Sequence, residues 1–158
     1  MDDPVRYFIT WTTYGSWLPG DTRGWRKTGS GEQQPRPLLE DWCKGKMKGD
    51  AILLSVQQRQ KVEDICNRHA TIRNWRIDAI SARSNHVHVA IEANADGITV
   101  RNQLKANATS ALRGKPIPVL GEKIWTRGGD IEIIESDEDY DTVVRYIVEA
   151  QDRMERGK

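Results

Sequence analysis

One stretch predicts the fold of this chain most directly: Ser84-Asn85-His86-Val87-His88-Val89-Ala90-Ile91-Glu92. Its alternation and its β-branched side chains are typical of a strand. Side chains two residues apart on a strand leave the same face, so the imidazoles of His86 and His88 lie together. Neutral imidazole is the commonest protein metal ligand, which makes the pair a candidate half of a metal site. The alternative is a pair of polar residues on a solvent-facing strand.

The length and composition indicate one soluble domain. The chain has 158 residues, of which 30% are charged and 37% hydrophobic, so we expect a single cytoplasmic domain over residues 1–158. No apolar run approaches the ~18 residues of a membrane-spanning helix. The acidic start at Asp2 and Asp3 is unlike a signal peptide. The isolated Cys43 and Cys66 indicate reduced thiols rather than a zinc site.

Charge is segregated along the chain, although the net charge is only +1. Basic residues outnumber acidic ones in residues 23–61 and 101–127, whereas residues 130–141 include acidic residues and no basic one. Such segregation permits a basic face that tracks the phosphates of a nucleic acid. An ordinary solvated surface gives the same pattern, so charge alone does not decide between the two.

The remaining patterns predict strands and helices on both sides of the histidine strand. The predicted strands are residues 6–13 and 75–83, residues 123–126 and 131–134 are predicted to form a short hairpin or edge strands, and the predicted helices are 55–73, 97–113 and 137–154. Ser55 and Ser136 are the expected N-caps. This order predicts an α+β fold of the ferredoxin-like (split βαβ) type, an antiparallel sheet with its helices packed on one face.

A long loop insertion at about residues 15–51 interrupts this order. Turn signals such as Pro19-Gly20 predict irregular backbone there, with a short helix near residues 38–48. A loop of this length inside a compact domain is usually functional or disordered. Trp17, Trp25 and Trp42 argue against full disorder, because their large rings would dock on a surface.

Tyr146 stands within the last predicted helix. A tyrosine in this position is commonly a core or interface aromatic. Near a metal site it has a second interpretation, because a phenol, with a pKa of about 10, can attack a phosphate whose charge a metal ion neutralises.

Several segments of the chain together resemble one protein family. They are Asn85-His86-Val87-His88-Val89, Ile9-Thr10-Trp11-Thr12-Thr13-Tyr14-Gly15-Ser16-Trp17-Leu18-Pro19-Gly20-Asp21 with Arg23-Gly24-Trp25, Leu104-Lys105-Ala106, Trp125-Thr126-Arg127-Gly128-Gly129, and Arg145-Tyr146-Ile147. In kind and order these resemble the HUH-superfamily single-tyrosine transposases of insertion-sequence-200-like elements and their REP-associated relatives.

The resemblance implies an HUH endonuclease fold that cuts and rejoins single-stranded DNA. It implies that Tyr146 attacks a backbone phosphorus to form a 5′-phosphotyrosine, and that His86 and His88 hold one Mg²⁺ or Mn²⁺ ion. It also implies recognition of DNA hairpins at element ends. The candidate nucleic-acid contacts are Arg101, Lys105, Arg127, Arg23, Trp25 and Trp17. Relatives act as dimers, joined through a sheet edge and the terminal helix, or as monomers, and the sequence leaves this open.

The third metal ligand departs from the family pattern. The family usually places Gln or Asn four residues after the tyrosine, where this chain has Ala150. Gln151 is the favoured substitute, Glu149 is the second candidate, and two histidines with water are the third. The departure leaves open a catalytically inactive, domesticated DNA- or RNA-binding protein on the same fold. A metal-dependent hydrolase fits least, since no further ligand follows the histidine pair closely.

Overall fold

The computed structural model describes residues 3–15, 25–27, 31–33 and 51–156, with the backbone alone at 25–27, 31–33 and 150–156. These ranges contain six strands and three helices: β1 Val5–Thr12, β2 Trp25–Lys27, β3 Gly31–Gln33, α1 Val56–Arg73, β4 Arg76–Ala82, β5 His86–Ala93, α2 Gly97–Leu112, β6 Asp130–Ile133 and α3 Asp137–Arg156. None of the helices described there is long and apolar enough to cross a membrane.

Four strands form one antiparallel sheet in the order β4-β5-β1-β6. The central strands β1 and β5 pair along their full length, from Val5 opposite Ala93 to Thr12 opposite His86. The helices α1 and α2 connect central strands to edge strands, as in a split βαβ arrangement. The predicted α+β class, the ferredoxin-like order and the histidine strand are confirmed.

The helices cover both faces of the sheet, and this differs from the expected single covered face. On the first face, α1 and α2 bury Val62 and Leu104 together with Val87 and other odd-numbered residues of β5. The face carrying the histidines has a smaller apolar cluster that includes Ala90, and α3 covers it with residues such as Ile147. The apolar patch on the second face would otherwise be exposed to water, so a helix packs over it. The expectation that the helices lie on one face is therefore correct for α1 and α2 only.

The starts of α1 and α3 follow the predicted caps. Ser55 and Gln58 form a reciprocal capping box, in which the backbone N–H of each donates to the side chain of the other, at 2.8 and 3.2 Å. The Ser136 hydroxyl accepts from the backbone N–H of Asp139 at 3.0 Å. Three acidic residues in the first turn of α3 suit the positive end of the helix dipole.

The insertion contains a small hairpin in its described part. β2 pairs antiparallel with β3, with Trp25 opposite Gln33. Trp17, Arg23 and Trp42, together with the helix expected at residues 38–48, lie outside the described residues.

The N-terminal half of α3 is anchored to the sheet by Tyr140. Its ring is 4% exposed, and its hydroxyl donates to Asp78 Oδ2 at 2.6 Å. Burial and then Asp78 raise the pKa of Tyr140, so the hydroxyl keeps its proton. The Arg6 guanidinium lies 5.0 Å from the ring centroid and also forms an ion pair with Asp137 at 2.6 Å. These contacts set the position of the helix turn that carries Tyr146.

We expect Tyr140→Phe to lower the free energy of unfolding by about 1.5–3 kcal/mol, because a buried hydrogen bond to a carboxylate is lost. Urea denaturation measures the change. Tyr146→Phe is the matched control, since the Tyr146 hydroxyl has no hydrogen-bond partner among the described residues, and we expect it to change stability by less than about 0.5 kcal/mol. Equal effects of the two variants would contradict the anchoring role of Tyr140.

Candidate metal and nucleophile site

His86 and His88 lie on the α3 side of the sheet, as the alternation predicts. Their ring centroids are 4.6 Å apart, and both side chains are half-buried. On the neighbouring strand β1, Thr12 is the partner of His86 and Thr10 is the partner of His88. The central position of β5 fixes both rings, because the strand is paired on both sides.

Each imidazole forms a hydrogen bond through its Nδ1 atom. His86 Nδ1 lies 2.7 Å from Asn85 Oδ1, and His88 Nδ1 lies 2.8 Å from Thr10 Oγ1. An amide oxygen only accepts, so His86 Nδ1 carries the proton and its Nε2 carries the lone pair. Among the residues that the structure describes, neither Nε2 atom has a hydrogen-bond partner. The pair therefore has nitrogens available for a cation.

The surroundings keep both rings neutral. Burial, followed by the charge of Arg83, lowers the pKa of His86. Burial, followed by His86 and Arg83, lowers the pKa of His88 to about 4. Neutral imidazole is the form that binds metal, so at neutral pH both side chains are in the form a ligand requires.

Acidification should destabilise the metal-free protein. The pKa of His88 falls from 6.5 to about 4 on folding, so the unfolded chain takes up a proton at a higher pH than the folded chain. Stability contributed by neutral His88 is fully present above about pH 6.5 and is lost as the pH falls toward 4. Urea denaturation with a chelator, at several pH values across that window, measures the loss. His88→Gln should flatten the profile in this window, and an unchanged slope would contradict the interpretation.

Tyr146 lies beside the histidine pair, although it is 58 residues from His88 in the sequence. The helix α3 packs against β4 and β5, and this contact places the phenol ring centroid 5.9 Å from that of His88. Phe8 lies against both rings, at 6.3 Å from Tyr146 and 5.6 Å from His88. Tyr146 is 48% exposed, so a ligand in solvent can reach its hydroxyl next to the histidine pair.

The two histidines fit a divalent cation as two of its ligands. Both are neutral nitrogen donors on one face, and oxygen ligands from water or phosphate would complete the shell of Mg²⁺ or Mn²⁺. Within the described part of the chain, no group of three His, Cys, Asp or Glu side chains comes together to hold a metal. Glu149 is exposed on α3. The helix continues through Gln151, whose side chain lies outside the described residues.

Comparison with known proteins shows a likeness at the level of the fold. No protein-family model and no curated protein matches the sequence. Among solved structures, the chain is similar to a REP-associated tyrosine transposase bound to a REP hairpin, with a TM-score of 0.53 and 16% identity. The chain has the fold of that transposase. The match covers 92% of this chain and spans 65% of the transposase chain, and at this identity the likeness concerns the fold alone.

Two candidate nucleic-acid contacts bind the backbone of a loop. Lys105 Nζ donates to the carbonyls of Thr126 and Gly128 at 3.0 and 2.8 Å, and Arg101 donates to the carbonyl of Gly129 at 3.0 Å. Burial and then Arg101 lower the pKa of Lys105. Both side chains therefore stabilise residues 126–129, the end of the loop that connects α2 to β6.

The loop held in this way presents Arg127. The side chain of Arg127 is exposed. The preceding residue, Thr126, donates its backbone N–H to the carbonyl of Thr12 at 2.9 Å, and Thr12 is the strand partner of His86. Arg127 is thus the predicted basic contact that the structure places in an exposed position at the histidine end of β1. The side chains of Trp25, Arg23 and Trp17 are outside the described part of the chain.

Sequence reasoning did not assign roles to Thr10, Phe8 and Asn85 at this site. Thr10 and Phe8 become neighbours of His88 only through the register of β1 against β5, which no local pattern reveals. A role for Asn85 could have been predicted from the sequence, because it directly precedes His86 in the motif that carries the family resemblance.

Proposed function

We propose that this protein is a transposase-type enzyme that cleaves single-stranded DNA and transfers the strand through a covalent tyrosine intermediate. Its substrate is a single strand with a DNA hairpin, and its cofactor is Mg²⁺ or Mn²⁺. Tyr146 is the nucleophile, and His86 and His88 are the metal ligands.

One observation carries this proposal. A half-exposed phenol lies against the second of two neutral imidazoles, with ring centroids 5.9 Å apart, on the sheet face opposite α1 and α2. Nucleophilic catalysis requires a nucleophile, a group that stabilises charge and access for the substrate in one place. The shared fold with a tyrosine transposase supports the same assignment.

The chemistry is a transesterification at phosphorus. Tyr146 Oη forms a bond to the scissile phosphorus while the bond from phosphorus to the 3′-oxygen breaks. The phenolic proton is lost to solvent, and the leaving 3′-oxygen takes up a proton to become a 3′-OH. The 5′ end remains on Tyr146 as a phosphodiester, so a 3′-OH can attack it and rejoin the strand without ATP.

His86 and His88 would hold the cation in this site. When bound, the cation supplies neutralisation of the phosphate charge. Phe8, which belongs to β1, packs edge-on against the phenol ring at 6.3 Å between centroids and so helps to position Tyr146 beside the histidine pair. Arg127 is the proposed contact to the DNA backbone, and its exposed position beside the C-terminal end of β1 supports this role, because a guanidinium can bind a phosphate through two hydrogen bonds.

The proposal is tested with labelled single-stranded DNA hairpins that carry random flanks. The protein is incubated with them and Mn²⁺, or with a chelator, and denaturing gels detect covalent adducts. We expect an adduct that requires Mn²⁺, and digestion followed by mass spectrometry should locate the nucleotide on Tyr146. The adduct-bearing DNA, once sequenced, gives the cleavage site.

The other outcomes identify the alternatives. Hairpin binding without any adduct would indicate a domesticated DNA-binding protein on the same fold. An adduct that forms equally with chelator would remove the metal from the proposal. Neither binding nor an adduct, over the whole mixture of hairpins, would contradict the function as a whole.

A further inference from the structure

We infer that Asn85 and Thr10 are positioning residues that hold His86 and His88 in the tautomer with its proton on Nδ1, so that both Nε2 lone pairs face one cation. The inference rests on the proposed metal site, but it concerns the two side chains behind the ligands. Metal-binding histidines generally donate their second ring N–H to an oxygen, and removing that oxygen weakens metal binding.

The contact of Asn85 determines the tautomer of His86. The Asn85 amide oxygen lies 2.7 Å from His86 Nδ1 and can only accept a hydrogen bond. The backbone of Asn85 is itself held, because its carbonyl accepts from the N–H of Thr13 at 2.9 Å. The backbone that carries the acceptor is therefore held against the residue that follows β1, and this limits the movement of the amide oxygen relative to the His86 ring.

The contact of Thr10 orients His88 from the neighbouring strand. Thr10 is the direct strand partner of His88, and its Oγ1 lies 2.8 Å from His88 Nδ1. A hydroxyl can donate or accept, but only acceptance leaves the His88 Nε2 lone pair available beside His86, whose ring centroid is 4.6 Å away. We assign the accepting role to Thr10 for this reason.

The third histidine provides an internal contrast. His69 contacts Gln103 Oε1 through Nε2 at 2.8 Å, and this oxygen also only accepts. The hydrogen bonds therefore assign opposite tautomers to two rings of one chain, with the proton on Nε2 in His69 and on Nδ1 in His86, and our inference gives His88 the same tautomer as His86.

The test is a long-range ¹H–¹⁵N correlation spectrum of the metal-free protein at neutral pH, which distinguishes the two tautomers at each ring. Thr10→Val removes the acceptor and keeps the side-chain shape, whereas Thr10→Ser keeps the hydroxyl. For His86, Asn85→Leu removes the acceptor oxygen, whereas Asn85→Asp keeps an acceptor oxygen in the same place. Mn²⁺ affinity is measured in parallel by titration calorimetry, with thermal unfolding of each variant as the control for folding.

We expect Nδ1–H tautomers for His86 and His88 in the wild type, and a mixture with Nε2–H for His88 in Thr10→Val and for His86 in Asn85→Leu. Mn²⁺ binding should weaken about 10–100-fold in these two variants, and it should be largely restored in Thr10→Ser and Asn85→Asp. An Nε2–H tautomer of either ring in the wild type, or unchanged Mn²⁺ affinity in folded Thr10→Val and Asn85→Leu, would overturn the inference. So would a wild type that binds no Mn²⁺.

The two proposals can fail separately. If the tautomers and affinities follow expectation and no DNA adduct forms, the strand-transfer function fails while the positioning roles stand. If an adduct forms on Tyr146 and the tautomers are reversed, the positioning roles fail while the function stands.

Discussion

Replacing Tyr146 with phenylalanine should reduce formation of the covalent protein–DNA adduct by more than about 10³-fold, because the variant lacks the atom that forms the ester. The phenyl ring keeps the contacts with Phe8 and His88, so we expect the fold to be retained. Denaturing gels with labelled hairpin DNA and Mn²⁺ measure the adduct.

Two controls separate chemistry from binding in this variant. Mn²⁺ affinity and hairpin affinity of Tyr146→Phe should equal those of the wild type, because the hydroxyl alone is lost. Tyr140→Phe removes a tyrosine from the same helix, and its hydroxyl contacts Asp78 rather than the histidines, so its adduct should persist under conditions where it is folded. An adduct at wild-type level in Tyr146→Phe would show that another residue carries the ester.

Gly129→Ala should destabilise the protein by about 1–3 kcal/mol through backbone strain alone, and a steric clash should add to this. Gly129 has a φ of +136°, and a Cβ there would lie 2.8 Å from the carbonyl oxygen of Thr10 and 3.1 Å from Trp11 Cβ. Both contacts are with the central strand β1, which cannot move away easily because β5 and β6 hold it on either side. Urea denaturation measures the loss of stability.

Gly128→Ala is the matched control for Gly129→Ala. Gly128 has a φ of +81°, and a Cβ there meets nothing within 4 Å. We therefore expect only a conformational cost of about 1–2 kcal/mol. Because Thr10 contacts His88, Gly129→Ala should also weaken Mn²⁺ binding more than Gly128→Ala does. Equal effects of the two substitutions on stability would contradict the close approach of the loop to β1.

Local patterns in the sequence were sufficient to predict the strands and helices of the sheet and the face on which the two histidines lie. Period-two alternation places His86 and His88 on one face, and the structure confirms the strand that it predicts. The caps at Ser55 and Ser136 are confirmed for a similar reason, since each depends on a contact with a residue three positions away. The order of these elements was enough to predict the ferredoxin-like sheet.

The cover of the second face was not predicted from sequence, because it depends on packing between distant elements. The apolar cluster under α3 includes Ala79 of β4, Ala90 of β5 and Ile147 of α3. Lys105 was predicted from the sequence as a nucleic-acid contact, yet its ammonium donates to backbone carbonyls 21 and 23 positions further along the chain. No pattern within a single element reports such a contact.

The sequence by itself determined the residues to which we assign the proposed chemistry, namely His86, His88 and Tyr146, since their types and local spacing are visible in the chain. The tertiary structure alone decided which groups orient them. Thr10 lies 78 positions from His88 and reaches its Nδ1 atom only because β1 pairs with β5 in one register. A shift of one residue in that register would turn Thr10 to the other face of the sheet, so the orientation of the site is a property of strand pairing.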